Sequence, residues 1–189
     1  MTSQLTEAQG GLLLQLARQT LTHRLRGGDA PSPLVEPEFL SKRAVFVTLT
    51  LGGKLRGCIG NLIAVGPLWE GVRDNAVSAA LHDQRFAALT VEDLDRISIE
   101  ISVLTQPKEL NYEGSDDLVE KLRVGVDGVI LRKEGRSATF LPQVWDQLAT
   151  HQLFLDRLCS KAGLSKESWR GADVSIETYQ VESFSEGEL

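Results

Sequence analysis

The chain lacks the features that would place it in a membrane or outside the cell. Its 189 residues include only two cysteines, and no apolar run approaches the roughly 20 residues that a membrane-spanning helix needs. Residues 1–10 are polar and contain Glu7, whereas a signal peptide has a basic start and an apolar middle. We therefore expect a cytoplasmic protein with reduced thiols and no membrane partner.

An excess of positive charge is also missing. The formal net charge is −6, and aromatic residues make up 6% of the chain. An acidic protein is poorly suited to general binding of phosphate backbones, and few aromatic rings are available to stack bases beside the basic residues at 54–56 and 132–136. We therefore expect no nucleic-acid partner.

Hydrophobic periodicity predicts a mixture of helices and antiparallel strands. The predicted helices are 6–27, 67–82, 115–123 and 142–163, and the predicted strands are 44–51, 55–61, 97–104, 126–133, 136–141 and 174–184. Gly52-Gly53 and Glu134-Gly135 separate neighbouring strands and are typical of hairpin turns. This combination favours an α+β fold with a largely antiparallel sheet and flanking helices.

Residues 55–60, with the sequence LRGCIG, are the strongest candidate for a functional site. Regular alternation along a strand would turn Leu55, Gly57 and Ile59 toward a core and place Arg56 and Cys58 together on the other face. An arginine stabilises a neighbouring thiolate, so this pattern predicts Cys58 as a nucleophile or a ligand-contacting thiol. A small cysteine packed in a tight strand explains the same residues.

The neighbours of the thiol extend this prediction to ligand binding. Gly57 and Gly60 lack side chains and would leave room for another group, while Arg56 would hold an anion. Arg85, in the turn after the second predicted helix, is a further ligand-binding candidate. Residues of this kind also hold turns and strands together without any ligand, and the sequence leaves both interpretations open.

Three residues are candidates for a catalytic base. Glu100 lies on the polar face of the predicted strand 97–104, where it is a weak candidate for a base, a partner for an arginine or a residue in solvent. His82 and His151 are candidates for a Cys–His dyad with Cys58, and each also has an ordinary structural role at or on a helix.

Metal binding is disfavoured by spacing. His151 and Cys159 lie eight residues apart on one predicted helix, which separates them by about 12 Å along its axis. Zinc ligands lie only about 2.0–2.3 Å from the ion, so this pair cannot share one zinc. We expect no metal and no cofactor. This spacing does not bear on a metal site built from carboxylates.

The segment LRGCIG resembles the signature of the AMMECR-type domain family, whose prokaryotic members are called AmmeMemoRadiSam system protein A. The resemblance extends to VFVTL at 45–49, Asp83 to Phe86, IEISVLT at 99–105, LPQV at 141–144 and CSKAGL at 159–164. It therefore covers the chain from about Leu12 to Phe184. Two segments depart from the pattern, since Gln84 replaces a usual proline and 136–140 is less apolar than expected.

This resemblance implies a two-lobed single domain over residues 1–189, with a core at about 12–184 and a loose acidic tail at 185–189. It also implies that LRGCIG lines a cleft between the lobes. There the protein would bind or modify a small molecule or a protein group. The alternative is a non-catalytic adaptor that acts with a Memo-like protein and a radical S-adenosylmethionine enzyme, as the resemblance also implies.

Overall fold

Five α-helices and two four-stranded sheets form the fold of residues 4–187, the part of the chain that the computed structural model describes. The helices are α1 (Glu7–Arg26), α2 (Pro37–Leu40), α3 (Leu68–Leu81), α4 (Gly114–Lys121) and α5 (His151–Lys161). The strands are β1 (Val45–Leu51), β2 (Lys54–Gly60), β3 (Ile97–Leu104), β4 (Lys108–Glu109), β5 (Gly128–Lys133), β6 (Arg136–Phe140), β7 (Ser175–Tyr179) and β8 (Val181–Ser185). Each pairing with a described register is antiparallel, which confirms the α+β prediction with two sheets instead of one.

The chain divides into two compact units. The first runs to Thr105 and resumes at Glu182, and the second is Gln106–Val181. The prediction of one domain over residues 1–189 stays a prediction. Within the described residues, no helix combines the length and the apolar character needed to cross a bilayer.

The first unit packs α1 and α3 against one face of the sheet β2-β1-β3-β8. Alternate strand residues such as Val47, Leu49 and Ile101 are fully buried beneath these helices. The start of α1 agrees with its sequence, because Thr6 and Gln9 form a capping box. The helix ends at Arg26 and is followed by Gly27, whose φ of 82° favours glycine.

The second unit holds its own sheet, β4-β7-β5-β6, and an aromatic core. The Trp145 and Phe154 rings stack with their centroids 3.7 Å apart. The single helix predicted over 142–163 is wrong, because 142–146 form a 3₁₀ turn and α5 begins at His151. Thr150 causes the break: its backbone is extended and its side chain caps α5 by accepting from the Leu153 N–H.

The long last strand predicted over 174–184 is also wrong. It is divided at Gln180 into β7, which belongs to the second sheet, and β8, which belongs to the first. Part of the predicted tail at 185–189 is held as well, since Ser185 ends β8 and the Glu186 carboxylate accepts from the Ile99 N–H and from Arg18. Residues 188 and 189 lie outside the described part.

Strand β2, which carries LRGCIG, contains a bulge that changes which side chains share a face. Leu49 pairs with Gly57 but the next residue, Thr50, pairs with Leu55, so Arg56 is the extra residue. The prediction that Leu55 points toward the core is therefore wrong, and its side chain is 45% exposed. Gly57 faces the helices, where α3 crosses the strand closely.

We predict that Gly57→Ala destabilises the first unit. A Cβ at this position would lie 2.1 Å from the Ala79 carbonyl oxygen, which belongs to the backbone of α3 and cannot move aside alone. Overpacking of this kind costs about 1–3 kcal/mol. Urea denaturation measures the loss. Gly66→Ala is the matched control, because the nearest atom is the end of the Glu70 side chain at 3.5 Å. Equal stability of the two variants would contradict the packing role.

Candidate functional site

Three polar side chains form a row across the face of the first sheet that lies opposite the helices. Thr48 on β1 pairs with Cys58 on β2 and, on its other side, with Glu100 on β3. Directly paired residues of neighbouring antiparallel strands project to the same face. The structure therefore brings the two catalytic candidates, Cys58 and Glu100, into one row with Thr48 between them.

The side chains of this row are half-buried, and those of Thr48 and Cys58 contact each other. The Thr48 hydroxyl donates to the Cys58 Sγ over 3.3 Å. The two Glu100 carboxylate oxygens lie 3.4 Å from the Ser102 hydroxyl and 3.5 Å from the Ser185 hydroxyl, at the long end of hydrogen-bond lengths. Among residues 4–187, Glu100 has no recorded ion pair, so its carboxylate is available on this face.

The backbone of Cys58 is fixed from the open edge of the sheet. Strand β2 is an edge strand, and edge strands leave unpaired N–H and C=O groups. The Asp83 carboxylate accepts from the Cys58 N–H at 2.9 Å, and the Arg85 guanidinium donates to the Cys58 carbonyl at 3.2 Å. Both backbone groups of Cys58 that face the edge are thus satisfied by the turn after α3.

Asp83 and Arg85 are themselves joined by a forked ion pair. The guanidinium donates to both carboxylate oxygens, at 2.9 and 2.7 Å, and the Arg85 N–H donates to the same group at 3.2 Å. The Asp83 side chain is only 4% exposed, whereas Arg85 is 57% exposed. Hydrogen bonds from Arg85, and next the one from Cys58, hold the pKa of Asp83 well below its usual range.

Arg56 lies elsewhere than the sequence predicts. Its guanidinium donates to the carbonyl oxygens of Ala87 and Ala88, at 2.6 and 3.3 Å, and lies 3.8 Å from the Asp93 carboxylate. These contacts bind β2 to the loop after α3. The guanidinium that bonds to Cys58 belongs instead to Arg85, and it donates to the Cys58 carbonyl.

The space beside each of the two glycines of the segment is occupied by the protein's own atoms. Gly57 lies under the Ala79 carbonyl, and a Cβ at Gly60 would lie 2.3 Å from the Phe46 ring on the paired strand. Both glycines therefore permit close internal packing, and their proposed ligand contacts stay a prediction.

Neither histidine has a recorded bond to the thiol. His82 is exposed at the end of α3. His151 belongs to the second unit, where its ring nitrogen lies 2.9 Å from the Leu122 carbonyl oxygen and its ring packs edge-on against Trp145. Within the described residues, no three His, Cys, Asp or Glu side chains cluster as metal ligands.

Thr48 and Asp83 are the residues of this site that the sequence did not reveal as candidates. A two-residue hairpin at Gly52-Gly53 without a bulge would pair Thr48 with Gly57. The bulge at Arg56 moves that pairing to Cys58. Asp83 lies two residues before Arg85, a spacing typical of a turn held by hydrogen bonds, but this spacing does not predict a contact to β2.

We predict that Asp83→Asn lowers the stability of the protein at pH 7 and that the deficit shrinks in acid. Because the folded-state pKa of Asp83 is depressed, its contribution is present above the unfolded pKa of about 3.9 and is lost as pH falls below it. Urea denaturation at pH 7 and at pH 3 measures the difference from wild type. Asp29→Asn, in an exposed loop, is the control. A deficit that does not change with pH would contradict this role of the charge.

Comparisons with known proteins agree with this architecture. The AMMECR1 family model matches residues 14–184. A protein of Methanosarcina acetivorans is 37% identical, with 98% of this chain and 97% of that protein covered. A protein of Methanopyrus kandleri is also 37% identical, over 100% of this chain and 93% of its own length.

The same architecture is found in a solved structure. The crystal structure of an uncharacterised protein from Pyrococcus horikoshii matches with a TM-score of 0.78 and 33% identity, and covers 94% of this chain and 91% of that one. The match includes both units described above, since the family model and this structure span nearly the whole chain. The chain belongs to the AMMECR1 family.

Proposed function

We propose that the polar face around Cys58 binds a small molecule or a protein group in the cytoplasm, with the thiol in contact with the bound group. The row of Cys58, Thr48 and Glu100 is the observation that carries this proposal. It combines a thiol, a hydroxyl and a carboxylate on one half-buried face.

The rigidity of the strand supports the proposal. Asp83 and Arg85 bind both edge-facing backbone groups of Cys58, and Arg56, two residues earlier, donates to the loop at 87–88. A residue whose backbone is held in this way meets a ligand at a smaller ordering cost. Arg85, which is mostly exposed, supplies a positive charge beside the thiol-bearing strand.

The thiol is also placed to react with an electrophile. The Thr48 hydroxyl donates to the Cys58 Sγ and so holds the sulfur on the half-buried face of the sheet. In the catalytic form of this proposal, Cys58 is the nucleophile, and Glu100, across Thr48, is the candidate for the base. In the binding form, the same groups only contact the ligand.

Thiol labelling tests the role of this row. We predict that iodoacetamide modifies Cys58 in the folded protein and that Thr48→Val slows the reaction about fivefold at pH 7, the effect expected for one lost hydrogen bond of about 1 kcal/mol. Labelling is assigned by peptide mass, because Cys159, the other cysteine, is buried in the second unit.

Thr50→Val is the matched control for this experiment. Thr50 lies two residues along the same strand and pairs with Leu55 rather than with Cys58. The proposal requires that this variant react like wild type. Unchanged labelling in Thr48→Val, or no labelling of folded protein, would rule out the reactive thiol and leave only the binding form.

A second function, as an adaptor, is favoured by an apolar loop directly after LRGCIG. Ile63 and Val65 are 75% and 79% exposed in the loop between β2 and α3. Neighbouring large apolar side chains that are exposed this far favour a contact surface, whereas single scattered ones are ordinary. We propose that this loop docks the Memo-like protein or the radical S-adenosylmethionine enzyme that the family resemblance implies.

Capture of a purified Memo-like protein tests the adaptor function. We predict that the double variant Ile63→Asp and Val65→Asp loses capture, because charged side chains cannot be buried in an apolar contact. Val35→Asp, which alters a side chain 71% exposed in another loop, should retain it. Cys58→Ser should also retain capture if the adaptor works without the thiol. Equal capture by all variants would show that the Memo-like protein does not dock on this loop.

A further inference from the structure

A groove on the first unit lies away from the polar face of the sheet. It runs between the second half of α1, the outer side of α3 and the loop at 30–33, and it encloses about 510 Å³. Small-molecule sites typically enclose roughly 300–1,000 Å³. We call it the α1–α3 groove. Of the candidates named above, His82 alone lines it, and His82 has no bond to the Cys58 thiol in the described structure.

The charge in this groove is opposite to that of the whole protein. Arg24 from α1 and Arg73 from α3 line it, together with His23 and His82, whereas Asp74 is the only carboxylate in the lining. The chain as a whole carries a formal charge of −6. Among the described residues Arg24 has no recorded hydrogen-bond or ion-pair partner, so its donors are available to a ligand.

The groove also contains an aromatic platform. The Arg73 guanidinium lies 5.0 Å from the centroid of the Trp69 ring, and its Nε donates to Asp74 over 2.7 Å. Pro31 and Pro33 line the same groove from the loop. A flat ring with rigid apolar neighbours suits a planar ligand group, since aromatic faces and prolines lose little entropy on contact.

One of the histidines is oriented by the backbone. His23 Nδ1 lies 2.7 Å from the Gly28 carbonyl oxygen, which can only accept, so Nδ1 carries the proton. The other nitrogen, Nε2, is left to accept in the neutral ring or to donate in the charged ring. Two arginines and two histidines offer more hydrogen-bond donors than the one carboxylate in the groove accepts. The three terminal oxygens of a phosphate would accept the remaining donors.

We propose that the α1–α3 groove binds a phosphomonoester that carries a planar ring, such as a mononucleotide. The arginines and histidines bind the phosphate, and Trp69 with the two prolines contacts the ring. This site is separate from the thiol-bearing face, and the proposal does not depend on the function of Cys58.

Tryptophan fluorescence provides a direct test with adenosine 5′-monophosphate as the probe. Trp69 is the one partly exposed tryptophan, because Trp145 and Trp169 are each 2% exposed. We expect saturable quenching by the probe that Trp69→Phe abolishes. Arg24→Gln and Arg73→Gln should each weaken binding about tenfold, since each removes a charged hydrogen bond to phosphate.

Controls separate the two halves of the ligand. Arg157→Gln, on α5 in the second unit, should bind the probe like wild type. Adenosine and inorganic phosphate, tested alone, should each bind much more weakly than the monophosphate. Equal binding of adenosine would overturn the phosphate site, equal binding of inorganic phosphate would overturn the ring site, and no saturable quenching would overturn the whole proposal. Because Cys58→Ser leaves the groove intact, it should bind the probe normally even if the proposed function of the thiol fails.

Discussion

The carboxylate of Asp83 is the contact on which the geometry of the site depends. It is nearly inaccessible to solvent, yet it stays charged because the guanidinium of Arg85 and two backbone N–H groups bind it. A buried carboxylate without such partners would be expensive to maintain. By bonding Cys58 at the open edge of the sheet, this group sets where the thiol-bearing strand lies and also occupies an edge that would otherwise be open to pairing with other chains.

Helix α3 connects the features that the function would use. Its Ala79 carbonyl rests on Gly57, its last turn leads directly into Asp83, and its outer side forms one wall of the α1–α3 groove. Close packing against α3 thus accounts for Gly57 in LRGCIG without any ligand.

The sequence predicted the elements better than the arrangement of side chains. Thr6 with Gln9, and the pair Gly52-Gly53, act through local geometry that a few neighbouring residues determine. Arg56 at the bulge donates to the loop at 87–88, and the Asp83 carboxylate accepts from Cys58, 25 residues earlier, so both features involve contacts between distant parts of the chain. The apolar residues shift from even to odd positions between Ile176 and Tyr179, but alternation then continues through Gln180, so the pattern does not place the change of sheet at that residue. The pairing of Cys58 with Thr48 therefore required the three-dimensional structure.

The position of β8 has a consequence for the order in which the units form during synthesis. The first unit is closed by residues that follow the whole second unit along the chain: Phe184 packs on Gly10, and Glu182 accepts from the buried guanidinium of Arg43. The ribosome therefore releases the complete second unit before the first unit has its last strand. Until then, the β3 edge of the sheet and the apolar side of α1 lack the segment that packs against them. The earliest residues of the nascent chain are therefore the last to complete their contacts.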